Sequence, residues 1–179
     1  MNLLKQPIRI AITGPESTGK TTLALQLASF FHGQYISEYA REYIGSLYEH
    51  YTFGDVENIA RKQVQQYQET KSDTESIFFF DTWLIITKIW FMWVFGRVPE
   101  WLETQIHQCP IDLYLLCRPD LPWEADFVRE NGGENRLKLY DEYRTELINY
   151  GFNFAEISGE GDERFFNAIV AIRNSFDAI

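Results

Sequence analysis

The residues Ile8-Arg9-Ile10-Ala11-Ile12-Thr13-Gly14-Pro15-Glu16-Ser17-Thr18-Gly19-Lys20-Thr21-Thr22-Leu23-Ala24-Leu25-Gln26-Leu27-Ala28 decide how this chain is read. A short apolar run enters a glycine-containing turn, and an amphipathic stretch leaves it. The turn, Gly14 to Thr21, fits the pattern G-x-x-x-x-G-K-[ST], which forms a phosphate-binding loop when it lies between a strand and a helix. There the backbone N–H groups of the turn and the N-terminus of the helix converge on one anion site. The expected nucleotide-binding residues are therefore Gly14, Pro15, Glu16, Ser17, Thr18, Gly19, Lys20, Thr21 and Thr22. Lys20 supplies a point charge for the β- and γ-phosphates, and the Thr21 hydroxyl is placed to hold Mg²⁺. ATP and Mg²⁺ are the expected cofactors.

Outward from the loop, strand-like and helical patterns alternate. Strands are expected at Ile8–Thr13, Gln34–Ser37, Ile77–Phe80, Leu113–Cys117 and Phe154–Ile157. Helical patterns cover about 19–31, 39–49, 55–74, 82–95, 99–107, 137–150 and 161–176. Short apolar strands with little alternation, separated by helices, indicate a parallel sheet covered on both faces. The expected fold is thus α/β, a three-layer P-loop arrangement on a parallel five-stranded sheet, with ligands at the C-terminal strand ends. Residues 1–179 read as one domain. A lid is expected after the fourth strand, at about 118–136, where two prolines, a Gly-Gly pair and several arginines interrupt the pattern.

The overall composition narrows the partners. With 16 Lys+Arg against 26 Asp+Glu the net charge is −10, so nucleic acid and anionic lipid are repelled and a polyanion needs a local site. The two cysteines, Cys109 and Cys117, show neither metal spacing nor a secreted framework. The first residues lack the apolar core of a signal peptide, and the expectation is a cytoplasmic protein. The run Trp83 to Phe95 is strongly apolar, but it is too short to span a bilayer and contains Lys88. It reads as a buried helix, some of whose tryptophans could instead line a substrate cavity or a subunit contact. The expected partner is a small-molecule substrate, with neither nucleic acid nor membrane; a homo-oligomer is compatible with the sequence.

Strand ends supply the acids. Ile77 to Phe80 runs into Asp81, a position suited to a carboxylate that orients Mg²⁺ and could also cap the next helix. Glu38 closes the preceding strand, where it could take a proton from a substrate hydroxyl, with Asp81 the alternative base. Arg41 lies one helical turn on and would face the same cleft as a substrate or phosphate contact. On the lid, Arg129 and Arg136 are candidates for stabilising phosphoryl charge, with Arg118 a weaker one. Trp123 and Asp126, three residues apart, would offer an aromatic face and a carboxylate to a flat, hydroxylated or cationic ligand. The catalytic set expected from sequence is Lys20, Glu38, Asp81, Arg129 and Arg136. Substrate contacts are expected at Glu38, Arg41, Asp81, Trp123 and Asp126, and metal contacts at Thr21 and Asp81. The turn Ser158 to Arg164 occupies a position that commonly borders the nucleotide base in P-loop proteins, and its composition fits a simple connection equally well.

Four blocks together resemble the ribosylnicotinamide kinase domain of the bacterial NadR proteins. These are the Gly14–Thr21 loop, Glu38-Tyr39-Ala40-Arg41-Glu42, Asp81-Thr82, and Pro122-Trp123 with Asp126 and Arg129. The resemblance runs from about Ile8 to the last helix. It implies ATP-dependent phosphorylation of the 5′-hydroxyl of nicotinamide riboside in NAD biosynthesis or salvage. It also implies that Trp123 lies near the nicotinamide and the carboxylates near ribose and Mg²⁺. The chain departs from the family pattern at two places. Trp83 stands where a second aspartate follows Asp-Thr, and Phe127 stands where the lid has glycine in Asp-Gly-x-Arg. Both departures are expected to bear on the acceptor pocket. No H-x-G-H motif of an adenylyltransferase module is present.

The expected activity is therefore a small-molecule kinase acting on a riboside. The alternatives are another nucleoside or nucleotide kinase, or a P-loop ATPase or nucleotide sensor that is not a kinase. The GTPase signatures N-K-x-D and D-x-x-G are absent.

Overall fold

A computed structural model describes residues 6–73, 76–124 and 131–176. β1 (Ile8–Thr13) leads into α1 (Lys20–Phe30), followed by β2 (Gln34–Ile36), α2 (Tyr39–Gly45), α3 (Phe53–Glu69) and β3 (Ile77–Asp81). Then come α4 (Leu84–Phe95), α5 (Glu100–Gln108), β4 (Leu113–Cys117), α6 (Glu134–Tyr150), β5 (Phe154–Ile157) and α7 (Asp162–Ser175). The five strands pair in the order β2-β3-β1-β4-β5, and every pair is parallel. The order reverses at β1, so the loop after β1 opens at the switch point where such sheets bind ligands.

Strand alternation sorts the core into two layers. Ile10, Ile12, Phe79, Leu113 and Leu115 pack against Leu23 and Leu27 of α1 and Ile169 and Ile172 of α7. Ala11, Phe78, Phe80, Tyr114 and Leu116 face the other way, toward α3, α4, α5 and α6. A sheet covered on both faces calls for apolar residues on both sides of its central strands, and these have them apart from Arg9 in β1 and the strand-end Thr13 and Asp81.

Several boundaries differ from the sequence reading, for local reasons. α3 begins at Phe53 because Thr52 and Asp55 form a capping box: the Asp55 N–H donates to Thr52 Oγ1 and the Thr52 N–H donates to Asp55 Oδ2. α2 stops at Gly45, and α6 begins at Glu134 directly after Gly133, which holds a positive φ. Gly14 is required where it stands, since a Cβ there would lie 2.7 Å from the carbonyl oxygen of Cys117 on β4. The phosphate loop therefore crosses the end of β4 at backbone distance.

α4 is the apolar helix anticipated between Trp83 and Phe95. Leu84, Ile85, Ile89 and Phe91 are buried, and Trp83 ahead of it packs its indole against Tyr67 and Phe80. Among the described residues no helix is long and apolar enough to cross a membrane.

Candidate active site

The Gly14–Thr22 loop forms one wall of a cavity of about 400 Å³ at the C-terminal edge of the sheet. All of its residues except Pro15 line the cavity, which agrees with a phosphate-binding role for the segment. Inside the loop, the Thr18 hydroxyl donates to the Pro15 carbonyl at 2.9 Å and the Lys20 ammonium donates to it at 2.8 Å. The loop is also tied to the segments flanking residues 125–130. Ser17 Oγ donates to the Glu124 carbonyl and accepts from the Glu124 N–H, both at 3.1 Å. Glu16 accepts from the backbone N–H of Asn131 at 2.9 Å.

Glu38 sits at the N-terminus of α2 and lines the same cavity, as does Arg41 one turn on. Burial raises the pKa of the Glu38 carboxyl above the ordinary glutamate value; the nearby Lys20 and Arg41 charges oppose the shift, while Asp81 and Glu16 reinforce it. These groups therefore act on one another electrostatically although they come from the loop, β3 and α2. A carboxylate with a raised pKa beside a phosphate loop is suited to taking a proton from a hydroxyl.

Asp81 ends β3 and is buried. The Tyr35 hydroxyl of β2 donates to its Oδ2 at 3.1 Å, whereas its Oδ1 has no hydrogen-bond partner among the described residues. Thr82 follows at φ 71°, a left-handed conformation that is strained for a β-branched residue, and it lines the cavity. The donor set fits a magnesium site. Mg²⁺ prefers one or two carboxylates completed by water and substrate phosphates, and Asp81 with the Thr21 hydroxyl would supply the protein share. Among the described residues no group of three or more His, Cys, Asp or Glu could hold a metal alone. A nucleotide would therefore have to complete the shell.

The opposite wall is aromatic and was not singled out residue by residue from the sequence. Tyr51, Trp90, Trp93 and Tyr143 line the cavity, joined by Ile44, Ile86 and Leu139. Trp90 packs edge-on to Tyr51 with ring centroids 4.9 Å apart. Ile86, Trp90 and Trp93 lie at i, i+4 and i+7 on α4, so one face of the apolar helix is cavity wall and the other is core.

Three sequence expectations require correction, and three further residues fall outside those described. Arg136 does not reach over the cavity. It lies in the first turn of α6, is 7% exposed, and donates to the carbonyls of Ser17 and Leu121 at 3.0 Å. α6 starts earlier than expected, which carries this residue off the lid and into the interior. Trp123 does not line the cavity either; its indole packs on Gly132, where a Cβ would lie 2.5 Å from Nε1. Trp83 is core rather than acceptor pocket, so that departure from the family pattern leaves the cavity open. Asp126, Phe127 and Arg129 lie outside the described residues.

A family described as an AAA domain matches residues 9–164. The chain belongs to that family. It is 26% identical over 170 residues to the trifunctional NAD biosynthesis/regulator protein NadR of Escherichia coli (strain K12), covering 92% of this chain and 42% of that protein. The chain therefore spans less than half the length of this relative. Its fold superposes on a crystal structure of NadR protein in complex with NR with a TM-score of 0.78 and 22% identity, covering 96% of this chain and 51% of the other. Thymidylate kinase from Ehrlichia chaffeensis shares the fold at a TM-score of 0.66 and 11% identity, covering 94% and 98% of the two chains. The P-loop α/β fold expected from the sequence is the fold observed.

Proposed function

We propose that this chain is an ATP-dependent kinase that transfers the γ-phosphoryl group to the 5′-hydroxyl of nicotinamide riboside. The observation that carries the reading is the union, in one cavity, of a phosphate loop, a half-buried glutamate of raised pKa and an aromatic wall. The loop and Lys20 suit the triphosphate. Tyr51, Trp90 and Trp93 suit a flat base, and a cationic pyridinium gains additionally over aromatic faces. The acidic chain, at −10, suits a small acceptor better than a nucleic acid. The NadR likeness in sequence and fold points to the same acceptor.

In the proposed reaction the acceptor O5′ attacks the γ-phosphorus while the bond to the β,γ-bridging oxygen of ATP breaks. Glu38, as carboxylate, accepts the proton released from the hydroxyl. The bridging oxygen leaves with ADP. Lys20 and the loop N–H groups stabilise the charge on the phosphoryl oxygens, and most of the acceleration comes from positioning and electrostatics. Thr21 and Asp81 would hold Mg²⁺, which neutralises phosphate charge when bound. Arg41 would face the acceptor or its phosphates.

The reading is tested by incubating the protein with ATP, Mg²⁺ and nicotinamide riboside and identifying the product by mass spectrometry. A riboside gaining one phosphoryl group, with a 5′-deoxy analogue left unchanged, is the expected result. A product only from another nucleoside or from a nucleoside monophosphate would overturn the acceptor assignment.

A further inference from the structure

Two of the loop's carbonyl groups, those of Ser17 and Thr18, are held by two buried arginines delivered in the same way by two different helices. α6 and α7 each follow a glycine of positive φ, Gly133 and Gly161, and each carries an arginine at its third position, in Gly133-Glu134-Asn135-Arg136 and Gly161-Asp162-Glu163-Arg164. Arg136 donates to the Ser17 carbonyl at 3.0 Å and Arg164 donates to the Thr18 carbonyl at 3.0 Å. Both side chains are buried, at 7% and 4% exposure. Each makes further hydrogen bonds as well. Arg136 holds the Leu121 carbonyl, and Arg164 holds the Gly159 carbonyl and pairs with Asp120.

In a trans peptide unit the carbonyl and the following N–H point in opposite directions, and these units are trans. Holding the Ser17 carbonyl toward Arg136 therefore turns the Thr18 N–H away from it. Holding the Thr18 carbonyl toward Arg164 does the same for the Gly19 N–H. Neither N–H has a hydrogen-bond acceptor among the described residues, and both residues line the cavity. Ser17 also sits at φ 56°, a left-handed conformation that is unfavourable for a residue with a Cβ, and Arg136 grips the carbonyl of that same residue.

We propose that Arg136 and Arg164 are paired positioning residues of the phosphate site, acting through the loop carbonyls to aim the Thr18 and Gly19 N–H groups at the nucleotide phosphates. Neither needs to touch the substrate. The proposal rests on the phosphotransfer reading only in taking the loop as the site for a nucleoside triphosphate. It assigns to Arg136 an indirect role in place of the direct one expected from sequence, and it brings Arg164 into the site.

The test measures binding of AMP-PNP, ADP and AMP by titration calorimetry to the parent protein and to R136Q, R164Q, R136K and R164K. Thermal unfolding without ligand checks each variant's fold. No acceptor is present, so failure of the acceptor assignment would not register. The expected result is a penalty that grows with the number of phosphates. AMP-PNP affinity should fall about tenfold or more in the glutamine variants, as for loss of a charge-assisted hydrogen bond, with AMP affinity within about twofold. Lysine keeps the charge but lacks the planar fork, so the lysine variants should show the same phosphate dependence at smaller size. If a glutamine variant does not fold, its lysine counterpart carries the comparison. Unchanged AMP-PNP binding in folded variants, or equal loss for AMP and AMP-PNP, would overturn the proposal.

Discussion

The Tyr35 hydroxyl donates to Asp81 Oδ2 at 3.1 Å, while Asp81 Oδ1, equally out of solvent, has no hydrogen-bond partner among the described residues. One oxygen is thereby oriented, and in the proposed reaction the other would face the cation. Hydrogen bonds to a metal-binding carboxylate fix its direction, and their loss typically lowers metal affinity by about 10–100-fold. Tyr35→Phe should therefore raise the Mg²⁺ concentration needed for half-maximal ADP formation by about tenfold, with the rate at saturating Mg²⁺ close to that of the parent. A magnesium titration of each protein checks this.

Glu38→Gln should lower kcat by about 10²–10⁴-fold, the usual contribution of a general base, while leaving AMP-PNP affinity nearly unchanged. The pH dependence follows from the direction of the shift. Burial raises the Glu38 pKa, so the base becomes protonated, and activity falls, at a pH above the ordinary glutamate range. A raised folded-state pKa favours the folded protein fully below the unfolded value, and that contribution is lost as pH rises through the folded value. Replacing Glu38 by Gln should therefore raise Tm at pH 8 more than at pH 4. Steady-state kinetics and melting curves across pH check both statements.

The fold was legible because its decisive signals are local. Apolar runs at Ile8–Thr13 and Leu113–Cys117 are strands in the structure, and the loop between β1 and α1 is continuous in sequence. The aromatic wall was not, since Tyr51, Trp90, Trp93 and Tyr143 come from three separate segments that only packing unites. On α4, an apolar face toward the core and an apolar face toward a cavity produce the same pattern, so Trp90 could not be told from Ile89 by periodicity. Arg136 misled for a different reason. It stands three residues past Gly133, where lid and helix composition merge, and only the helix start at Glu134 shows which it joins.

Trp90→Ala should raise the KM for the acceptor by about tenfold or more, as for loss of a base-stacking aromatic, with the KM for ATP within about twofold. Trp90→Phe should restore most of the difference. Trp123→Ala should affect the acceptor KM far less, since its indole packs on Gly132 outside the cavity. Initial-rate measurements varying one substrate at a time separate these cases.

Lys88→Met should lower stability. The Lys88 ammonium joins three helices, donating to Glu146 at 2.6 Å and to Tyr150 at 2.7 Å and pairing with Glu103 at 2.9 Å. Burial opposes its charge, but hydrogen bonds to Glu146, Tyr150 and Glu103 outweigh that and raise its pKa. Removing it leaves half-buried acids facing one another. A loss of about 1–2 kcal/mol would lower Tm by roughly 2–8 °C in a domain of this size. Thermal unfolding by circular dichroism checks the shift.

In the proposed reaction the cavity joins a phosphate donor to a flat, cationic riboside. This is tested most directly by ADP release in the presence of nicotinamide riboside, common nucleosides or nucleoside monophosphates, each compared with ATP alone. Slow hydrolysis without acceptor, accelerated most by nicotinamide riboside and abolished by Lys20→Ala, is the predicted result. Equal ADP release with and without every acceptor would contradict the account.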